Sequence, residues 1–215
     1  MYFVARFSVV LLIISIINTV STADDVNSRL KTELLALGFA NGELPTLTPA
    51  LGNYVDVVEV GTLLYLSSAA PQAPSGSFVK GRVPDQLSVA QAINASKYAC
   101  VRQVNRLKNY LGDLKRVKKI VYVRGKIVTQ DGTFQNHTAI IDGCSAFLVN
   151  VFGNQTGRHA RASDGLLSLP LNVTLEVELI AERNSALTGW LQISRGLLFF
   201  SIINIFLMKS LYWIV

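Results

Sequence analysis

Residues that announce chemistry on their own are scarce in this chain. Two cysteines among 215 residues cannot build a disulfide scaffold. Two histidines, His137 and His159, stand in no metal-ligand spacing with each other or with the cysteines, so no metal site is expected. Six prolines and fifteen glycines are ordinary usage, no period repeats and no charge block is long, which excludes collagen, solenoid, coiled coil and wholesale disorder. A glycine loop for phosphates and a serine-nucleophile motif are both missing. Charge is modest: 20 Lys+Arg against 14 Asp+Glu, a net of +6, is too mild an excess to imply nucleic acid by itself. Cys100 and Cys144 fall on apolar helical spacing and read as small core residues rather than a catalytic or bridging pair.

Apolar residues, by contrast, make up 50% of the chain, and two apolar segments bracket the rest. Arg6 is the one cation before an apolar run at 7–17 that ends in Ser21-Thr22-Ala23. That is the layout of a signal peptide over residues 1–23, with small residues at minus three and minus one of a cut after Ala23. A mitochondrial transit peptide, normally richer in arginine, is the alternative address. At the other end, 197–215 carries one charge, Lys209, and at about 1.5 Å per residue is just long enough to cross about 30 Å of hydrocarbon. Lys209 can snorkel to the interface that Tyr212 and Trp213 would occupy. The reading is a hydrophobic C-terminal anchor at 197–215 behind a linker at 187–196. The same residues suit a glycolipid-addition signal with Asn184-Ser185-Ala186 as its small site, a tail that packs on a partner, or a tail with no selected role. Asn136, Asn154 and Asn172 open glycosylation sequons and favour the secretory pathway, membrane-anchored or extracellular. A fourth sequon, at Asn94, lies in helical spacing, where access is expected to be poor.

Residues 24–186 read as one unit. Helical spacing at 26–37 is followed by an irregular lead-in at 38–52 with Pro45 and Pro49. The β-formers at 54–60 and 63–67 are joined by Gly61-Thr62 as a hairpin, and 78–82 reads as a third short strand. Ser88 caps a long amphipathic helix that stops at Gly112. Residues 116–130 give the strongest strand signal, 134–152 are helical, and 175–180 alternate as a final strand with its glutamates on one face. The order β-β-(β)-α-β-α-β predicts an α+β two-layer sandwich, a mixed sheet with two helices on one face.

Several segments, in order and spacing, resemble the RidA/YjgF family, and more closely its endoribonuclease L-PSP or chorismate-mutase-like branch. They are Gly52-Asn53-Tyr54-Val55, then Leu63-Leu64-Tyr65-Leu66-Ser67, then Leu111-Gly112-Asp113-Leu114 with Arg116-Val117-Lys118. Gly157-Arg158-His159-Ala160-Arg161, Leu169-Pro170-Leu171-Asn172-Val173 and Leu175-Glu176-Val177-Glu178 complete the set. The resemblance runs from about residue 34 to residue 182 and covers neither apolar end. It implies a chorismate-mutase-like fold and a homotrimer with its sheets packed inward and ligand pockets between subunits. It also implies cofactor-free hydrolysis of 2-enamine and 2-imine acids to 2-keto acids and ammonia.

By its match to the family arginine, Arg161 would clamp the substrate carboxylate, because a guanidinium offers two parallel donors in the plane a carboxylate needs. Glu176 matches the family glutamate and would activate the attacking water. Glu178 has the same facing, and both glutamates could simply pair with the many cations. Tyr54 matches a pocket tyrosine, although a hairpin tyrosine is often half-buried packing. Three departures bear on turnover. Ser163 stands where the better-known deaminases have cysteine, Ser67-Ser68 replaces Ser-Gly, and Asp142-Gly143 replaces Asn-Gly, adding a carboxylate that would repel an anionic substrate. His159, two positions before Arg161, is a further pocket candidate. One rival function is a non-catalytic trimeric module that binds a small carboxylate or a partner at a membrane. Another is RNA binding or cleavage along a basic strip that includes Lys97, Arg102, Arg106 and Lys108. Helix cations are usually a solvated face, and a secretory address separates a protein from most RNA, so nucleic acid ranks last.

Overall fold

The computed structural model describes residues 25–185; the expected signal peptide, linker and anchor lie outside them. β1 (Val57–Val60) and β2 (Leu63–Ala69) form the expected hairpin, turned at Gly61, whose φ of +63° a side chain would resist. β1 starts later than the β-rich run suggests because Ser67 captures the preceding segment, its N–H donating to Asp56 O at 3.0 Å and its Oγ to Val55 O at 2.7 Å. In place of a third strand at 78–82 there are isolated bridges, Phe78 with Gln72 and Lys80 with Val173, since the positive-φ glycines Gly76 and Gly81 turn the chain on either side.

α1 (Val26–Ala36) precedes the hairpin, and α2 (Val89–Leu111) follows it. α2 opens on a reciprocal cap: Gln91 N donates to Ser88 Oγ at 3.2 Å, and Ser88 N donates to Gln91 Oε1 at 2.9 Å. Gly112, at φ +77°, ends it. β3 (Val117–Val128) leads to α3 (His137–Gly157), which bends at Gly153 and runs past the expected end at Phe152. β4 (Ala160–Leu166) and β5 (Leu175–Arg183) complete a five-stranded sheet of order β1-β2-β5-β3-β4, parallel between β3 and β4 and antiparallel elsewhere. Nothing in Ala-Arg-Ala-Ser-Asp-Gly-Leu, which has no β-branched residue, signals β4; it is a strand because β3 offers it a free edge.

α2 and α3 pack side by side on one face of the sheet, as the element order predicts, and α1 lies against α3. Val123, Ile127, Leu175, Val177 and Leu179 from the sheet meet Ala99, Val104, Ile141 and Phe147 from the helices. Small residues set the approach of the layers. A Cβ on Gly143 would meet Ile93 O of α2 at 2.5 Å, and one on Gly125 would collide with the Ile141 side chain. Ser96 Oγ donates to Ile140 O at 2.7 Å across the same helix contact. There Cys100 and Cys144, expected as separate core residues, are joined in a disulfide with Cα atoms 5.5 Å apart. A sequence separation of 44 hides the pairing, which only the docking of α2 on α3 creates.

Alternation fixes the two sides of the sheet. Val123, Gly125 and Ile127 of β3 and Leu175, Val177 and Leu179 of β5 look toward the helices. Tyr122, Arg124, Lys126, Glu176, Glu178 and Ile180 look the other way, beside the exposed Val58, Val60 and Tyr65 of the hairpin. Among the described residues no helix is long and apolar enough to cross a membrane.

Candidate functional site

Arg161 pairs in register with Val123, so its side chain lies on the helix side of the sheet. Its Nη1 donates to Asp142 Oδ1 at 2.6 Å and to Ser145 Oγ at 3.0 Å, both on α3. Ser145 Oγ is also 3.0 Å from His159 Nε2, and His159 Nδ1 is 2.6 Å from Gly157 O. A carbonyl only accepts, so Nδ1 carries the proton, Nε2 has the lone pair, and Ser145 donates to it. Burial, aided by the charges of Arg161 and Lys119 and opposed by the Gly157 hydrogen bond, holds the imidazole below its usual pKa. These side chains, with Val149 and Asn154, line a cleft of about 710 Å³.

Glu176 lies elsewhere. It pairs in register with Lys126, on the side of the sheet opposite to Arg161, and lines a second cavity of about 310 Å³ together with Tyr54 and Ser68. The two glutamates that spacing leaves equivalent are different in the structure. Glu178 is ion-paired to Lys126 Nζ and accepts from Ser68 Oγ at 3.3 Å, whereas Glu176 has no hydrogen-bond or ion-pair partner among the described residues. The expected site residues therefore separate within one chain: Tyr54 and Glu176 together, Arg161 and His159 together. Ser163 sits beside Gly125 on the helix side and lines neither cavity.

Two of the three departures from the motif acquire a physical meaning. Asp142, expected to repel an anion, instead grips the guanidinium that would receive it. At Ser67-Ser68 the β2–β5 register shifts, and the loosened carbonyls are taken up by Arg106 Nη1, at 2.6 Å from Ser67 O and 3.2 Å from Ser68 O, and by Gln103 Nε2, at 3.0 Å from Ser67 O. Arg102 and Arg106, read as part of a solvated basic strip, are only 6% and 4% exposed. They face the second cavity because residues 99–107 of α2 are buried all round. The available signal was an arginine pair one turn apart with no acidic residue on the same helix. The sequon residues Asn136, Asn154 and Asn172 are exposed, and so is Asn94, contrary to the expectation that its helix would hide it.

Residues 32–183 match the model of the family described as "YjgF/chorismate mutase-like, putative endoribonuclease". Protein TCP17 of Trypanosoma cruzi is 30% identical over 159 residues, which cover 74% of this chain and 97% of that protein. Among solved structures, a "putative endoribonuclease" of Shewanella oneidensis is 31% identical with a TM-score of 0.66, over 74% of this chain and 99% of the other. The protein Atu1372 of Agrobacterium tumefaciens, of unknown function, is 31% identical with a TM-score of 0.64, over 74% and 96%.

Proposed function

The chain belongs to the YjgF/chorismate mutase-like family, and from that premise we propose that it hydrolyses reactive 2-enamine and 2-imine acids to 2-keto acids and ammonia, in a cleft completed by a second copy of the chain. The observation that carries this is the Arg161 side chain, 20% exposed, fixed by Asp142 and Ser145 and still open to a large cleft. A guanidinium held in this way can present its remaining donors to a carboxylate without first being ordered. Water then adds to the C=N carbon while Glu176 passes one of its protons to the nitrogen, giving a carbinolamine. The carbinolamine hydroxyl gives up the second proton, again through Glu176, to the amine nitrogen as the C–N bond breaks, the keto group forms and ammonia leaves.

Arg161 and Glu176 lie on opposite sides of one sheet, so a shared substrate requires Glu176 from a neighbouring copy. The exposed Val58, Val60 and Tyr65 give such a copy a surface to pack on, in keeping with the inward-facing homotrimer that the family resemblance implies. A second reading, a carboxylate-binding module without turnover, is favoured by the Asp142–Arg161 pair, which a substrate must displace or share. RNA cleavage loses two of its cations with the burial of Arg102 and Arg106. To test the hydrolysis, the full-length chain is coupled to an enzymatic generator of 2-aminoacrylate and 2-keto acid release is compared with that of Arg161→Ala. Release at least about a hundredfold slower in the variant is expected, and equal rates refute the clamp.

A further inference from the structure

The second cavity holds two groups that the hydrolytic reading leaves idle. α2 brings Arg102 and Arg106, one helical turn apart, to its wall, and both side chains are more than nine-tenths buried. Arg106 has a carboxylate partner, Asp56 Oδ1, 2.7 Å from Nη2. Arg102 has none among the described residues. It donates to Ala70 O at 3.2 Å and Thr48 Oγ1 at 2.8 Å and lies over the Phe78 ring at 5.2 Å. A guanidinium has five N–H donors, so most of Arg102's are unused, and its buried Nε is among those without a partner. Burial, with the like charge of Arg106 beside it, makes the Arg102 cation less favourable than in water. The Asp56 carboxylate eases this from a distance but is already paired with Arg106, so the direct hydrogen bonds of Arg102 all go to neutral acceptors, an arrangement that costs free energy unless an anion completes it.

We propose that this cavity binds an organic monocarboxylate with an apolar body, its carboxylate against Arg102. The walls supply the apolar contact through Leu51, Tyr54, Phe78, Leu171 and Val173, and about 310 Å³ is the scale of a small-molecule site. Asp56 and Glu176 lie close enough to act on Arg106, and their charges disfavour a dianion such as phosphate. The site shares Tyr54 and Glu176 with the hydrolytic reading but stands without Arg161.

Calorimetric titration of the full-length chain with phenylpyruvate, and with phenylacetone as the analogue lacking the carboxylate, tests the proposal. Phenylpyruvate is expected to bind at least about tenfold more tightly than phenylacetone, and Arg102→Gln to lose at least about tenfold in phenylpyruvate affinity. Arg102→Lys, which keeps the charge and loses the planar fork, should fall between them if Arg102→Gln folds poorly. One phenylpyruvate site per chain should persist in Arg161→Ala even where that variant no longer hydrolyses imines, and it should persist if the wild type proves to hydrolyse none. Unchanged affinity in both Arg102 variants, or inorganic phosphate binding as tightly as phenylpyruvate, overturns the proposal. In a crystal of the wild-type chain with phenylpyruvate, carboxylate density at Arg102 upholds it, and density only beside Arg161 overturns it.

Discussion

Asp142 sets how available Arg161 is to any incoming anion. At 64% exposed it is well solvated, so its hold on Nη1 is screened and its removal should release the guanidinium more than it disturbs the fold. Asp142→Asn is expected to lower the KM for a 2-imino acid by about three- to tenfold, because Ser145 still positions the arginine. A rise in KM would show instead that Asp142 orients the clamp. His159 gives a pH dependence of definite sign. Its folded pKa is depressed below the ordinary 6.5, so the unfolded chain binds the proton first on acidification. The stability it contributes is complete above the unfolded value and is lost as pH falls through the folded one. In urea midpoints measured from pH 7 to pH 5, His159→Gln should decline less steeply than the wild type. Motif resemblance pointed to Arg161, Glu176 and Tyr54, and each lines a cavity in the structure. The Arg102–Arg106 pair was not legible, since an arginine on an amphipathic helix reads as solvated until its neighbours in space are known.

Elements built on strong periodicity are legible, and those created by a neighbour are not. α2, β3, β5 and the hairpin announce themselves through caps, alternation and a tight turn, each a local property of the chain. β4 depends on the vacant edge of β3, and the short bridges at Phe78 and Lys80 depend on tertiary partners. The Cys100–Cys144 bond belongs to the same class, being a property of two helices together. It closes a long loop, and replacing both cysteines with serine is expected to cost about 2–4 kcal/mol in chemical denaturation. The wild type, unfolded without reductant, should resist alkylation at both sulfurs. Full alkylation and an unchanged midpoint would show the two thiols packed side by side and unbonded.

For the whole molecule, the uncovered side of the sheet is the surface on which the proposed assembly rests. Val58, Val60 and Tyr65 are exposed on the side of the hairpin that faces away from the helices, an apolar surface that a lone domain gains nothing by showing to water. Tyr65→Asp is expected to reduce the mass of the full-length chain in light scattering from an oligomer toward a monomer, with the helix-side core and the melting of the single domain little changed. An unaltered oligomer would move the contact elsewhere. The proposed address of the apolar ends is checked by glycosidase-sensitive mobility at Asn136, Asn154 and Asn172 and by partitioning into detergent. Because successive residues of β4 point to opposite sides of the sheet, a slip of β4 by one residue along β3 would turn Arg161 away from Ser145 and onto the face that the helices leave uncovered. The direction of the guanidinium is thus a property of the β3–β4 register, and any change that shifts that register by a single step removes Arg161 from the cleft.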